Sequence, residues 1–124
     1  MSRQMQDKIA IVTGAASGIG REIAATFARE GARVAIADVN RDAAEAAAAL
    51  RAGGASAMAV AADVTDEAQV DAAVAEVVTA WGGVDVLVSN AGIQIVHALE
   101  DFPFAEWKKM LAIHLDGAFL TTKA

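Results

Sequence analysis

The sequence predicts an α/β fold in which a doubly wound parallel sheet carries helices on both faces. Three observations support this prediction. Four short apolar runs of strand length alternate with longer stretches of helical period, glycines stand where three of those helices should end, and a glycine-rich loop joins the first strand directly to the first helix. With 124 residues the chain holds one domain at most, and nothing in it is typical of a linker or a repeat array.

The first unit of this fold is the strand, loop and helix between Lys8 and Gly31. Residues 8–13 form an apolar run of the kind that a buried parallel strand needs, and they lead directly into a loop at residues 14–20. Gly31 stands where the end of the following helix is expected. The apolar positions of that helix recur at three- and four-residue spacing and are Ile19, Ile23, Ala24 and Phe27.

The remaining elements continue the alternation. Strands are predicted at residues 33–37, 57–61 and 84–89, and helices at residues 42–52, 66–81 and from 104 to the end. Thr65 is the expected N-cap of the third helix, and Pro103 stands where a first helical turn tolerates proline. Right-handed crossovers between parallel strands then predict the strand order 3-2-1-4, with the first two helices on one face and the last two on the other.

Composition excludes several classes of protein. A net charge of −6 argues against a general nucleic-acid-binding surface. The absence of cysteine rules out disulfides and cysteine-based metal sites, and we expect no metal site. The polar segment 1–7 has no secretory apolar region and no apolar run is long enough to span a membrane, so we expect a cytoplasmic protein without a membrane partner.

The glycine-rich loop is the first candidate site. Its glycines permit a tight turn off the strand and let a ligand or the neighbouring strand approach the backbone closely. The helix N-terminus that follows offers free N–H groups and a partial positive charge to a pyrophosphate. The spacing differs from the usual G-x-G-x-x-G, and a plain strand-to-helix turn is the alternative. The candidate cofactor contacts here are Gly14, Ser17, Gly18, Ile19 and Gly20.

Polar residues also close the other strands at their carboxyl ends, where ligands bind in open α/β sheets. Asp38 can accept hydrogen bonds from an adenosine ribose and would repel a 2′-phosphate, which favours NAD over NADP. Its alternative roles are a strand-end turn or a helix cap before Arg41. Asp63 could reach the adenine amino group, or it could start the turn before Thr65. Asn90 closes the fourth strand.

Two motifs resemble those of the short-chain dehydrogenase/reductase family. Residues 13–20 resemble the family's cofactor loop, and Asn90-Ala91-Gly92 resembles the motif after its fourth strand. The resemblance covers essentially the whole chain. It implies an NAD(P)-binding Rossmann domain, hydride transfer between a nicotinamide and a hydroxyl or carbonyl carbon, and dimers or tetramers. It also implies that Asn90 and Gly92 hold the end of the fourth strand and face the nicotinamide ribose, and we add Val64 to the expected cofactor contacts.

A closer resemblance, to the bacterial D-3-hydroxybutyrate dehydrogenases, rests on residues 90–94, 102–103, 107 and 112–119. It implies a 3-hydroxy acid or 3-keto acid as the substrate, namely 3-hydroxybutyrate and acetoacetate, with Gln94 bonded to the substrate carboxylate. As a neutral amide in a loop beside the expected nicotinamide site, Gln94 could donate to a carboxylate or could be solvated.

The sequence departs from the family pattern at His114. The family commonly has an asparagine there, which breaks the helix locally and holds a water of the proton relay. An imidazole could relay protons, which makes His114 the catalytic candidate, or it could be a core histidine bonded to a carbonyl. His97, in a loop, is expected to be solvated.

A second departure concerns the serine and the tyrosine-x-x-x-lysine pair that the resemblance implies after a fifth strand. The sequence contains no tyrosine, and the residues at that spacing near its end are Phe119 and Lys123. We therefore expect the N-terminal, cofactor-binding part of a single Rossmann domain, with the fourth strand as an apolar edge on which Asp85 alone discourages aggregation. The alternative is a dinucleotide-binding module without catalysis that self-associates through this edge.

Overall fold

A four-stranded parallel sheet forms the centre of the fold. The computed structural model describes residues 3–40 and 42–124, so Met1, Ser2 and Arg41 lie outside the described residues. The strands are β1 (Ile9–Thr13), β2 (Arg33–Asp38), β3 (Ala57–Ala61) and β4 (Val86–Val88). Their order is β3-β2-β1-β4 and every pairing is parallel, which confirms the predicted sheet.

Helices connect and cover these strands. They are α1 (Gly18–Arg29), α2 (Asp42–Ala52), α3 (Glu67–Trp81), α4 (Phe104–Leu111) and α5 (Gly117–Lys123). A π-helical stretch at Ala112–Asp116, called the π segment below, joins α4 to α5, and a short 3₁₀ turn at Leu99–Asp101 precedes α4. None of the helices within residues 3–40 and 42–124 is long and apolar enough to cross a membrane.

The two faces of the sheet carry separate apolar cores, because successive side chains of a strand point to opposite faces. On one face, Val12, Val34 and Ile36 pack with α1 and α2. On the other face, Ile11 and Val60 pack with α3, which also contacts α5. The helices are therefore divided between the faces as right-handed crossovers predict.

Glycines in the left-handed conformation follow the first three helices. Gly31, Gly54 and Gly82 have φ angles of 94°, 94° and 92°. Other residues adopt these angles only with strain, so these positions stop the helices efficiently. The predicted helix ends are confirmed.

The start of α3 differs from the prediction. Asp66, and not Thr65, is the N-cap, since its carboxylate accepts a hydrogen bond of 3.0 Å from the backbone N–H of Gln69. Thr65 instead donates its N–H and its hydroxyl to Oδ1 of Asp63. The expectation was wrong because Asp63 competes for Thr65 and leaves the next carboxylate to cap the helix.

The apolar face of α1 and the course of the last helix also differ in detail. Ile19 is 76% exposed and takes no part in the core, whereas Ala24 is buried and both Ile23 and Phe27 pack against the core cluster. The chain is helical from Phe104 to Lys123 as expected, but the π segment interrupts the α-helical hydrogen bonding.

Strand β4 is shorter than the predicted 84–89, and Asp85 has another role than the one expected. The Asp85 carboxylate accepts a hydrogen bond of 2.9 Å from the N–H of Ile9, and the Asp85 N–H donates to the Ile9 carbonyl at 2.8 Å. Asp85 therefore extends the contact with β1 and does not point its charge at the open edge of the sheet.

Candidate cofactor site

A cleft of about 450 Å³ lies at the carboxyl ends of the four strands. The loops after β1, β2, β3 and β4 all contribute to it, as expected where parallel strands end together. Seven of the predicted site residues line this cleft, namely Gly14, Ser17, Asp38, Asp63, Val64, Asn90 and Gly92.

The glycine-rich loop forms one wall. Gly14 and Gly18 have φ angles of 64° and 62°, which favour glycine. A Cβ atom on Gly14 would lie 2.9 Å from Cα of Ala91, whereas a Cβ atom on Gly18 would meet nothing within 4 Å. Gly14 is thus required by close packing inside the fold, while Gly18 faces open space that a ligand can enter.

The N-terminus of α1 is available to an anionic ligand. Its first turn contains no acidic residue, and the hydroxyl of Ser17, the residue before the helix, makes no capping hydrogen bond. The free N–H groups and the positive end of the helix dipole therefore remain uncompensated. Exposed Ile19 lies in this same first turn.

Gly20 and Asn90 hold the loop against the end of β4. A Cβ atom on Gly20 would lie 2.6 Å from the carbonyl oxygen of Gly14 and would overlap the Asn90 amide. This amide donates hydrogen bonds to the carbonyl oxygens of Thr13 and Gly14, at 3.1 and 3.2 Å. Asn90 therefore ties the fourth strand to the glycine-rich loop.

Thr13 completes this connection, and the sequence analysis did not single it out. Thr13 is 2% exposed, and its Oγ1 atom accepts hydrogen bonds of 3.0 Å from the N–H groups of Asn90 and Ala91. A buried hydroxyl with such partners fixes the backbone around it. The available signal was a hydroxyl at the end of an otherwise apolar strand.

Asp38 serves the fold and lines the cleft at the same time. One carboxylate oxygen accepts a hydrogen bond of 3.1 Å from the N–H of Ala16 in the glycine-rich loop, and the other accepts one of 2.9 Å from the N–H of Asn40. The turn predicted as an alternative is therefore present. Each carboxylate oxygen can accept a further hydrogen bond, so these contacts leave capacity for a ligand hydroxyl.

Asp63 starts the turn at the end of β3. The hydroxyl of Thr65 lies 2.7 Å from Asp63 Oδ1, and this hydrogen bond, followed by that of the Thr65 N–H, holds the pKa of Asp63 below its ordinary value, with partial burial opposing the effect. The carboxylate is therefore charged at neutral pH, and it lines the cleft beside Val64.

Gln94 and His114 lie near the cleft without lining it. Gln94 is exposed, and it is the preceding residue, Ile93, that lines the cleft. His114 belongs to the π segment, and its Nε2 atom lies 2.8 Å from the carbonyl oxygen of Ile93. His114 is thus bonded to a carbonyl, but it is exposed and not a core residue.

His97 is exposed as expected, and it also makes two side-chain contacts. Its Nε2 atom lies 2.5 Å from a carboxylate oxygen of Glu106 on α4, and its ring packs edge-on against Phe102 at a centroid distance of 5.2 Å. The side chain nevertheless keeps 37% of its surface exposed. These contacts fasten the loop after β4 to α4.

Two further residues, which no motif in the sequence marked, line the cleft from α4 and from the π segment. Lys109 of α4 and Ile113 of the π segment, about one turn apart, line the side of the cleft that this helical region forms. Lys109 is the one basic residue among the described residues that line the cleft. Its sequence context gave no signal, because a lysine on a partly exposed helix is ordinary.

Comparison with known proteins gives this site a family. Residues 8–124 match the family described as short chain dehydrogenase. Sorbitol dehydrogenase of Cereibacter sphaeroides is 41% identical over 121 residues, which cover 98% of this chain and 46% of that protein. D-threitol dehydrogenase of Mycolicibacterium smegmatis is 43% identical over 122 residues, which cover 98% of this chain and 47% of that protein. The crystal structure of a short chain dehydrogenase from Mycobacterium smegmatis has a TM-score of 0.94 and 34% identity, covering 98% of this chain and 52% of that one.

The chain belongs to the short-chain dehydrogenase/reductase family, a family of oxidoreductases. The resemblance seen in residues 13–20 and 90–92 is confirmed at this level. The chain spans about half the length of the curated relatives that it matches. The two relatives named here are dehydrogenases of sorbitol and D-threitol, so 3-hydroxybutyrate does not follow from them.

Proposed function

We propose that the protein is an NAD-dependent oxidoreductase that interconverts an alcohol and its carbonyl product, with 3-hydroxybutyrate and acetoacetate as the first pair to test. One observation carries this proposal: Ser17 and Asp38 line the cleft, so its fixed carboxylate lies beside an uncompensated helix N-terminus and the open glycine position next to Ser17. A dinucleotide needs these three features for its pyrophosphate and its ribose hydroxyls.

Each wall of the cleft suits one part of the cofactor. The glycine-rich loop would hold the pyrophosphate, with Ile19 covered by the cofactor and no longer exposed to water. Asp38 would bind the adenosine ribose, and Asp63 and Val64 would lie against the adenine. Asn90 and Gly92 would face the nicotinamide ribose. Bound NAD supplies a hydride acceptor, and its reduced form a hydride donor.

The preference for NAD over NADP rests on Asp38. A carboxylate at the ribose repels a 2′-phosphate. Asp38→Asn removes the charge and keeps the size, so it should lower the ratio of the NADP dissociation constant to the NAD dissociation constant by about tenfold. Binding is measured by the fluorescence of the reduced cofactors. Asp71→Ala, an exposed carboxylate on α3, is the control, and an unchanged ratio in Asp38→Asn would refute the assignment.

The substrate assignment rests on Gln94 and on the closer resemblance to 3-hydroxybutyrate dehydrogenases. If Gln94 donates to a substrate carboxylate, Gln94→Glu places a like charge there and should raise KM for 3-hydroxybutyrate by at least about tenfold. The same change should leave KM for an uncharged alcohol nearly unchanged. The rate of NADH formation by the full-length protein is the readout.

A second candidate substrate class is supported by the comparisons. Since relatives about two-fifths identical are named for sorbitol and D-threitol, a polyol is the alternative. Turnover of these polyols without turnover of 3-hydroxybutyrate would decide for it.

The 124-residue sequence contains no tyrosine to serve as the acid–base group that the resemblance implies. NADH binding without turnover of either class would favour the non-catalytic binding module.

We further propose that the protein works as a homo-oligomer, a dimer or a tetramer, in the cytoplasm. Large apolar side chains are exposed along one face of α4, the π segment and α5, which is the kind of surface that an interface covers. These residues, called the apolar stripe below, are Phe104, Trp107, Leu111, Leu115 and Phe119.

A further inference from the structure

Gly92 is a glycine for a reason that its own backbone does not supply. Its φ angle lies outside the left-handed region, so its backbone would accept a side chain. What excludes a side chain is the imidazole of His114, since a Cβ atom on Gly92 would lie 2.5 Å from Cε1 and 3.1 Å from Nδ1 of that ring. Gly14 differs, because there both the φ angle and backbone atoms exclude a side chain.

The imidazole also bonds to the next residue of the same loop. His114 Nε2 lies 2.8 Å from the carbonyl oxygen of Ile93 and 3.4 Å from the Ile93 N–H. The shorter contact favours the tautomer with a proton on Nε2, which donates to this carbonyl. The ring therefore touches the loop twice, beneath Gly92 and at Ile93, and both residues line the cleft.

The π segment keeps the ring in this place. On its far side, Gly117 packs so closely on Val64 that a Cβ atom there would lie 2.7 Å from Val64 Cγ2. On its near side, Ile113 lines the cleft together with Val64. The helix is thus fixed close to the cleft on both sides of His114, and a widened turn of this kind is frequent at functional sites.

We propose that His114 is a positioning residue that fixes the position of the Ala91–Ile93 loop in the cofactor cleft. Gly92 and His114 form a matched pair, in which the imidazole occupies the volume that a side chain on Gly92 would need. This proposal rests on the proposed function and deepens it. His114 acts through the loop in two ways: its ring packs against Gly92, and its Nε2–H donates a hydrogen bond to the Ile93 carbonyl.

Complementary substitutions test the pair in the full-length protein. Gly92→Ala should weaken NADH binding by about tenfold, because the new methyl group collides with the ring and lifts the loop. His114→Ala should also weaken binding. The double variant Gly92→Ala/His114→Ala should bind NADH at least about threefold more tightly than Gly92→Ala alone, since the space for the methyl group is then free. Additive losses in the double variant would overturn the proposal.

A second series of His114 variants separates the packing of the ring from the hydrogen bond that Nε2–H donates. His114→Phe keeps a ring of similar size and removes the N–H, whereas His114→Gln keeps a donor on a flexible chain. We expect both to bind NADH less tightly than the wild type and more tightly than His114→Ala. Wild-type affinity in His114→Phe would overturn the donor role. All affinities are measured below the unfolding temperature of the least stable variant, and Gly53→Ala, whose Cβ atom would lie 3.5 Å from its nearest neighbour, is the control.

Failure of the pair and failure of the proposed function give different results. If the wild type binds no NADH, the proposed function is wrong, and the coupling of the two substitutions is then read from thermal unfolding. If the wild type binds NADH and neither the affinity nor the unfolding temperature shows coupling, the matched pair is wrong while the function stands.

Discussion

Asp63 shows how one residue at a strand end links the stability of the fold to pH. The Thr65 hydroxyl lowers the pKa of this carboxyl in the folded state, so the charged form stabilises the fold above the unfolded pKa of about 3.9. This contribution is lost as the pH falls through the lower, folded-state pKa. Adenine binding by Asp63, by contrast, stays a prediction.

We predict that Thr65→Val destabilises the protein by about 1 kcal/mol at neutral pH, since it removes one hydrogen bond to a charged group at a partly exposed site. The difference from the wild type should shrink as the pH falls from about 4 through the lower, folded-state pKa of the wild type, below which the carboxyl is protonated in both proteins. Urea unfolding at several pH values measures it. Thr79→Val, on the exposed side of α3, is the control, and a difference that persists at the lowest pH would contradict the prediction.

Gly20 gives a second prediction at the scale of the residue. An alanine in an exposed helix normally gains about 1 kcal/mol over glycine. At Gly20 we expect the opposite, a loss of about 1–3 kcal/mol, because the methyl group would displace the Asn90 amide and crowd the Gly14 carbonyl. Thermal unfolding of Gly20→Ala tests this, with Gly53→Ala as the control. A stabilised Gly20→Ala variant would show that the loop yields at no cost.

At the scale of the element, strand β4 is held in the sheet by side-chain hydrogen bonds at its ends more than by its own backbone pairing with β1. It has only three residues, and its ends are held by Asp85, which bonds to Ile9, and by Thr13, which bonds to the Asn90 and Ala91 N–H groups. A short strand held in this way is stable where these polar contacts are complete.

We predict that Thr13→Val destabilises the protein by about 1–3 kcal/mol, because the isosteric change leaves the Ala91 N–H without its acceptor and the Asn90 N–H with the Val88 carbonyl alone. Thr13→Ser, which keeps the hydroxyl, should cost less. Hydrogen exchange provides the specific readout: the Asn90 and Ala91 amides should exchange faster in Thr13→Val than in Thr13→Ser. Equal protection in the two variants would mean that the hydroxyl does not hold this corner of the cleft.

The elements that could be predicted from the sequence are those determined by residues close together in the chain. The strand order and the helix ends at Gly31, Gly54 and Gly82 depend on local period and backbone preference, which the sequence displays. The π segment has no local cause of this kind, since its neighbours Ile93 and Val64 lie far away in the sequence. The choice of Asp66 over Thr65 as N-cap likewise depends on a competing partner.

At the scale of the whole molecule, the parallel topology explains which cleft residues were foreseeable. Asp38, Asp63 and Asn90 end strands, so a correct strand order places them together without further information. Lys109 reaches the cleft from α4 and Ile113 from the π segment, and the approach of both is set by packing after a long irregular loop. The sequence does not encode that approach in any period, and both residues were missed.

The apolar stripe yields the last prediction. Its residues recur every three or four positions and keep between 37% and 72% of their surface exposed, more than a helix face in a stable monomer normally shows. We expect the full-length protein to sediment as a dimer or a tetramer whose interface includes this face.

A double substitution, Phe104→Glu/Phe119→Glu, should shift sedimentation toward smaller species, because two buried charges would be left without partners in the interface. NADH affinity should change little, since neither residue lines the cleft. Val96→Glu, which charges an apolar side chain that is 77% exposed outside the stripe, should leave the assembly intact. A monomeric wild type would contradict the oligomer. An assembly unchanged by the double substitution would mean that the copies meet through another surface.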